Sequence, residues 1–231
     1  MCGRYRMTRA DKLAQQFEVE ELDIELSPRY NVAPGQMIAA VRQDREKPVR
    51  HLANFKWGLV PAWAKDPNIG YKMLNARSET ISEKPAYREA FKSRRCLVPA
   101  DGFYEWKKEG KGKQPFHFGM KDDSIFAFAG IWERWKDTKG SILETCSILT
   151  TAPNALMQDV HDRMPVIVRP EDYDLWLDPG FKKTEALSDL LKPFDASLMK
   201  RYAVSTRVNS VKYDDPECAA SIEGGSLFAA V

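Results

Sequence analysis

Short apolar runs separated by polar breaks marked with proline or glycine fill the chain, and no apolar run reaches membrane-spanning length. Leu13 and Phe17 lie four residues apart behind Thr8, with Asp11 three residues after it, which predicts a short helix capped by Thr8. Period-two runs predict strands over 37–41, 95–100, 103–107, 116–118, 125–132, 145–151 and 202–205, the central ones forming a β-meander. A turn is expected at Asp101-Gly102. Further helices are expected from Pro85, over 154–158, 170–177 and 184–191. This mixture of elements reads as an α+β fold in a single domain over 1–225, with 226–231 expected to be a disordered tail.

Where polar or aromatic residues interrupt these runs, the pattern raises chemical questions. Alternation puts Phe103, Glu105 and Lys107 on one face of a strand and Tyr104 and Trp106 on the other. Locally, Glu105 reads as exposed on a half-wet sheet, the alternative being a pocket that raises its pKa. Trp57 reads as core. Trp63 opens a loop after Pro61, where it can either fill the core or stack on a base. His117, between two phenylalanines, is expected to face solvent and do no chemistry. His161 lies in Asp159-Val160-His161-Asp162-Arg163 at an element edge, where Asp162 can orient the imidazole as an acid or base requires.

Composition sets the outer limits. The 231 residues are 43% hydrophobic and 29% charged, enough for a full core. The N-terminus lacks the layout of a secretion signal, so a cytoplasmic or nucleoid-associated protein with no membrane contact is expected. Four scattered cysteines and three histidines make no ligand spacing, so no metal is expected, and Cys96 and Cys146 read as core. The net charge of +2 conceals an uneven distribution: residues 72–113 carry 11 basic and 6 acidic side chains, residues 114–231 carry 13 and 18. That asymmetry suits an anionic polymer on one face.

Cys2 alone reads as chance, but loss of Met1 would leave it with a free amine beside a free thiol, a reagent for aldehydes. A buried or basic site is expected to raise the unprotonated fraction of both groups.

Six blocks give the chain a resemblance: Met1-Cys2-Gly3-Arg4-Tyr5, Asn31-Val32-Ala33-Pro34-Gly35, Trp57-Gly58-Leu59-Val60-Pro61-Ala62-Trp63, Asn75-Ala76-Arg77-Ser78-Glu79-Thr80, Ala100-Asp101-Gly102-Phe103-Tyr104-Glu105-Trp106 and His161-Asp162-Arg163-Met164-Pro165. In this order they resemble the SRAP family, the SOS-response-associated peptidases, also described as abasic-site processing and hydroxymethylcytosine-binding proteins. The resemblance implies a curved, barrel-like antiparallel sheet flanked by helices, and a basic groove for single-stranded DNA. It implies removal of Met1, with autocatalysis as one route, and capture of an abasic-site aldehyde by Cys2 as a thiazolidine. Cys2, Asn75, Glu105 and His161 correspond to the reaction centre. Arg77, Thr150 and Arg163 correspond to positions near phosphates, Pro34 and Trp63 to a strand-separating wedge, and Arg4 and Trp106 to further DNA-facing positions. No cofactor is implied. A monomer is expected, with single-stranded DNA carrying abasic sites as partner. The alternatives are a cysteine peptidase or amidohydrolase with Cys2 as N-terminal nucleophile, and a non-covalent DNA-binding module; without the thiol, the amine would make a lyase.

Overall fold

The structure, a computed structural model, describes residues 2–22, 24, 26–44, 46 and 49–222. The expected tail at 226–231 lies outside the described residues. Five strands, Arg50–Trp57, Met37–Gln43, Arg95–Ala100, Phe126–Lys136 and Ile142–Thr151, pair side by side in that order. Parallel pairing of Thr145 with Lys56 and Cys146 with Trp57 joins the last strand to the first and closes a five-stranded ring. The small strands Glu21–Leu22, Asn75–Arg77, Met164–Pro165 and Ile167–Val168 attach to this ring.

A second, antiparallel sheet runs Met199–Ala203, Gly112–Met120, Gly102–Glu109, Tyr5–Met7, Arg29–Val32. Phe128 of the ring meets Tyr5 and Phe103 of this sheet edge-on, at 5.8 and 5.9 Å between ring centroids. Aromatic contacts therefore join the two sheets in one core. The expected α+β fold with a barrel-like sheet and flanking helices is what the chain adopts.

The expected meander is replaced by a change of sheet. At Asp101-Gly102 the chain makes no hairpin: Arg95–Ala100 belongs to the ring and Gly102–Glu109 to the second sheet. Buried Asp101 holds this junction, its Oδ2 accepting from the backbone N and the Oγ1 of Thr8, at 2.8 and 2.5 Å, and its Oδ1 lying 3.0 Å from Arg6 Nε. Thr8 consequently caps nothing, and the first helical segment, Ala10–Lys12 continuing into Leu13–Gln16, begins without a side-chain cap. The helix expected from Pro85 spans Arg88–Ser93. Arg95 ties it to the Tyr173–Leu177 helix by donating to the carbonyls of Phe91, Lys92 and Trp176 at 2.6–2.8 Å. The 154–158 segment is turn rather than helix.

His117 is fully buried, contrary to the solvent-facing position expected of it. It stacks on Tyr202 at 4.7 Å and meets Tyr104 edge-on at 5.5 Å. Gly102 makes the room, since a Cβ there would lie 2.0 Å from His117 Nε2. Neither ring nitrogen has a hydrogen-bond partner among the described residues. Burial, followed by the charges of Arg6 and Lys200, pushes its pKa well below the ordinary 6.5.

The sign of the consequence is fixed. An unfolded His117 binds a proton near pH 6.5 while the folded one refuses it, so its contribution to stability is complete above that pH. It declines as pH falls, by up to about 1.4 kcal/mol per pH unit, until the folded value is reached. Denaturant unfolding measured between about pH 7.5 and 5 should show this loss, and His117→Phe should flatten it.

Candidate functional site

The site is built around the start of the chain. Tyr5–Met7 lies between Gly102–Glu109 and Arg29–Val32, with Tyr5 opposite both Phe103 and Val32. The Tyr104 amide donates to the Arg4 carbonyl at 3.0 Å, so the first residues run antiparallel to the strand bearing Glu105. This carries Cys2 toward Glu105. Asn75 comes from the other sheet, at the start of a strand paired in parallel with Ile148–Thr150. Its Nδ2 donates to the Cys2 carbonyl at 2.9 Å, while its buried Oδ1 has no partner among the described residues.

Glu105 is 2% exposed, which corrects the local reading of a half-wet strand. The ring covers one face of that strand, and a cluster of Val204, Val208 and Cys218 packed on Tyr104 covers the other. Period-two alternation reads the two faces of a strand but not what arrives on them from a hundred residues away. Burial raises the Glu105 pKa. Cys2 is completely buried, and burial first, then Glu105, pushes its thiol far above the ordinary range. Burial here suppresses the thiolate, opposite to the expectation that a buried site would raise it.

His161 is half-buried. Its Nδ1 accepts from the Arg163 amide at 3.0 Å and lies 2.9 Å from Asp162 Oδ1. One nitrogen cannot both accept the first and donate to the second. The backbone donor is fixed, whereas the Asp162 side chain is 84% exposed, so the standing bond is the backbone one and the neutral ring carries its proton on Nε2. Asn75 thus touches Cys2, and Glu105 lies near enough to both Cys2 and His161 for their charges to interact.

The DNA-facing candidates divide. Trp63 is 64% exposed, Arg77 is exposed and Pro34 is half-buried, whereas Trp57 is core and donates to the Leu74 carbonyl at 3.0 Å. Arg4 donates to Asn31 Oδ1 and the Val208 carbonyl, at 2.9 and 2.7 Å, beside the Trp106 ring. Trp106 in turn donates to Asn209 Oδ1 at 2.7 Å. Thr150 is buried, its carbonyl accepting from Arg163 at 2.6 Å. The sequence reading missed Glu79, whose carboxylate takes a forked pair of bonds from Arg163, and the exposed Tyr71, whose ring lies 5.4 Å from Lys56 Nζ. Glu79 stood in a quoted block, but its partner is 84 residues away and only the fold introduces them.

The family described as SOS response associated peptidase (SRAP) matches residues 1–211. An abasic site processing protein, YoqW, of Bacillus subtilis is 46% identical over 96% of this chain and all of its own length. HMCES of Gallus gallus, also named an abasic site processing protein, is 35% identical over 86% of this chain and 67% of its own. A crystal structure of a Bacteroides thetaiotaomicron protein superposes with a TM-score of 0.84 at 32% identity, covering 95% of this chain and 99% of that one. No helix among the described residues is long and apolar enough to cross a membrane. From its first strand to the His161 loop, the chain belongs to the SOS response associated peptidase (SRAP) family.

Proposed function

We propose that this protein processes abasic sites in single-stranded DNA by forming a covalent thiazolidine between Cys2 and the lesion's aldehyde. The observation that carries the reading is the clasp of Cys2 by Asn75 beside a buried carboxyl, at the start of the chain. Relatives named for abasic-site processing support it.

Met1 must first leave, because in the full sequence the nitrogen of Cys2 is an amide. The Cys2 thiol is the nearest nucleophile by covalent structure: attack on the Met1 carbonyl gives a thioester that water hydrolyses, freeing methionine and the amine. Glu105, its pKa raised by burial, is the candidate acid: donation to the ring oxygen of the closed sugar, as the anomeric hydroxyl gives up its proton, opens the aldehyde. The amine adds to the aldehyde and loses water to give an imine. The thiol adds across the imine, sulfur to carbon and proton to nitrogen, closing the five-membered ring. His161, with its proton on Nε2, serves as the neighbouring donor. Arg77, Trp63 and Pro34 are the accessible candidates for holding the strand.

A denaturing gel tests the covalent step. Wild type should give a heat-stable adduct with an abasic oligonucleotide and none with a tetrahydrofuran analogue, and Cys2→Ala should give none with either. An adduct from Cys2→Ala as abundant as from wild type would refute the reading.

Glu105→Gln should slow the single-turnover rate about 100-fold. With its pKa raised, Glu105 loses its proton as pH climbs through the folded value, so the wild-type rate should carry a descending limb on the alkaline side of that value. The variant should lack that limb, and retention of the limb would remove Glu105 from the acid role.

A further inference from the structure

Arg163 is read as facing a DNA phosphate, yet its guanidinium is already engaged. NH1 and NH2 fork onto the two oxygens of Glu79, at 2.6 and 2.8 Å, and NH2 also donates to the Thr150 carbonyl at 2.6 Å. Nε is buried without a hydrogen-bond partner among the described residues. A planar two-pronged seat of this kind suits a carboxylate and a phosphate equally well. The Arg163 side chain is 11% exposed and that of Glu79 is 50% exposed, so Glu79 lies on the solvent side of the fork. Hydrogen bonds from Arg163 hold the Glu79 carboxyl below its ordinary range, helped by the charges of Arg163 and Arg77. One carboxylate therefore offsets both arginines assigned to the phosphates.

We infer that Glu79 occupies the seat of a backbone phosphate and must be displaced when single-stranded DNA docks, which makes it a determinant of how weakly the protein holds undamaged strand. Glu79 is the middle residue of the short turn Ser78–Thr80 after Arg77, exposed between half-buried neighbours, so its side chain can turn away into solvent. Its departure leaves His161 in place, because the histidine is held by the backbone amide of Arg163 and not by the guanidinium. Exchanging one anion for another on Arg163 releases no extra counterion. Wild type should accordingly show a shallower salt dependence than its count of arginines implies.

The inference rests on the reading of this site as a single-stranded DNA binder, and the test separates the two. Affinity of the full-length protein for an undamaged single-stranded oligonucleotide, which has no aldehyde, is measured over a range of salt concentrations. Glu79→Gln keeps the shape and removes the charge: it should bind about fivefold tighter at low salt, with a log–log salt slope steeper by about 0.7, one additional phosphate contact. Adding Arg163→Gln to Glu79→Gln should cancel both gains, while matched thermal midpoints report intact folding. A Glu79→Gln variant that binds no tighter or more weakly, with an unchanged slope, would make Glu79 a strut and overturn the inference while the DNA reading stands. Wild type that binds with no salt dependence would overturn both.

Discussion

The constraint on which the molecule depends is that its first strand is an interior one. A chain terminus usually frays, because nothing holds it on one side. Here Tyr5–Met7 is hydrogen-bonded on both edges, and Tyr5 is packed against Trp57 and Phe128. Cys2 follows directly from that placement. With the strand fixed in register, residues two and three have nowhere to go but alongside Glu105, and the Asn75 amide closes the last freedom at the Cys2 carbonyl. The junction at Asp101 serves the same end, since it delivers the Glu105 strand to the second sheet at the height where the N-terminus can pair with it.

What could be read from the residues beforehand divides along physical lines. The longer strands followed from alternation and most of the short 3-10 and α segments from apolar spacing, because both are local; Tyr5–Met7, Arg29–Val32 and Asn75–Arg77, too short to alternate clearly, did not. Trp57 as core followed from its run, and the four residues proposed as the reaction centre from motif blocks. Glu105 and His117 were misplaced because no local pattern announces a cover that comes from a distant segment: residues 199–219 cover the face of the second sheet that carries Tyr104 and His117, and the ring covers the face that carries Phe103 and Glu105. Thr8 failed as a cap because the helical segment starts beyond it, with Arg9 at the N-cap position, while the backbone N and hydroxyl of Thr8 are tied to Asp101. The Arg163–Glu79 fork was beyond reach for a different reason. Its two residues stand 84 positions apart, and the meaning of each lies only in the other.

Burial has an apparently contrary effect on the proposed chemistry. It raises the Cys2 thiol and the Glu105 carboxyl together, which penalises the thiolate that a nucleophilic cysteine is expected to use. The same exclusion of water lowers the pKa of an amine and favours every group in its neutral form. Condensation with an aldehyde needs a neutral amine as attacking group and a protonated acid as donor, so the first steps gain from the condition that hinders the thiol.

In the proposed capture of the lesion, which follows the removal of Met1, the thiol acts after the amine, against an imine whose nitrogen can take the proton as sulfur takes the carbon, so a standing thiolate is not required for that step. A cysteine with a depressed pKa and open access would instead react with any electrophile that arrived before the lesion. On this argument the raised thiol pKa and the order of the capture steps belong together: the amine selects the aldehyde, and the imine so formed is what the sulfur closes on.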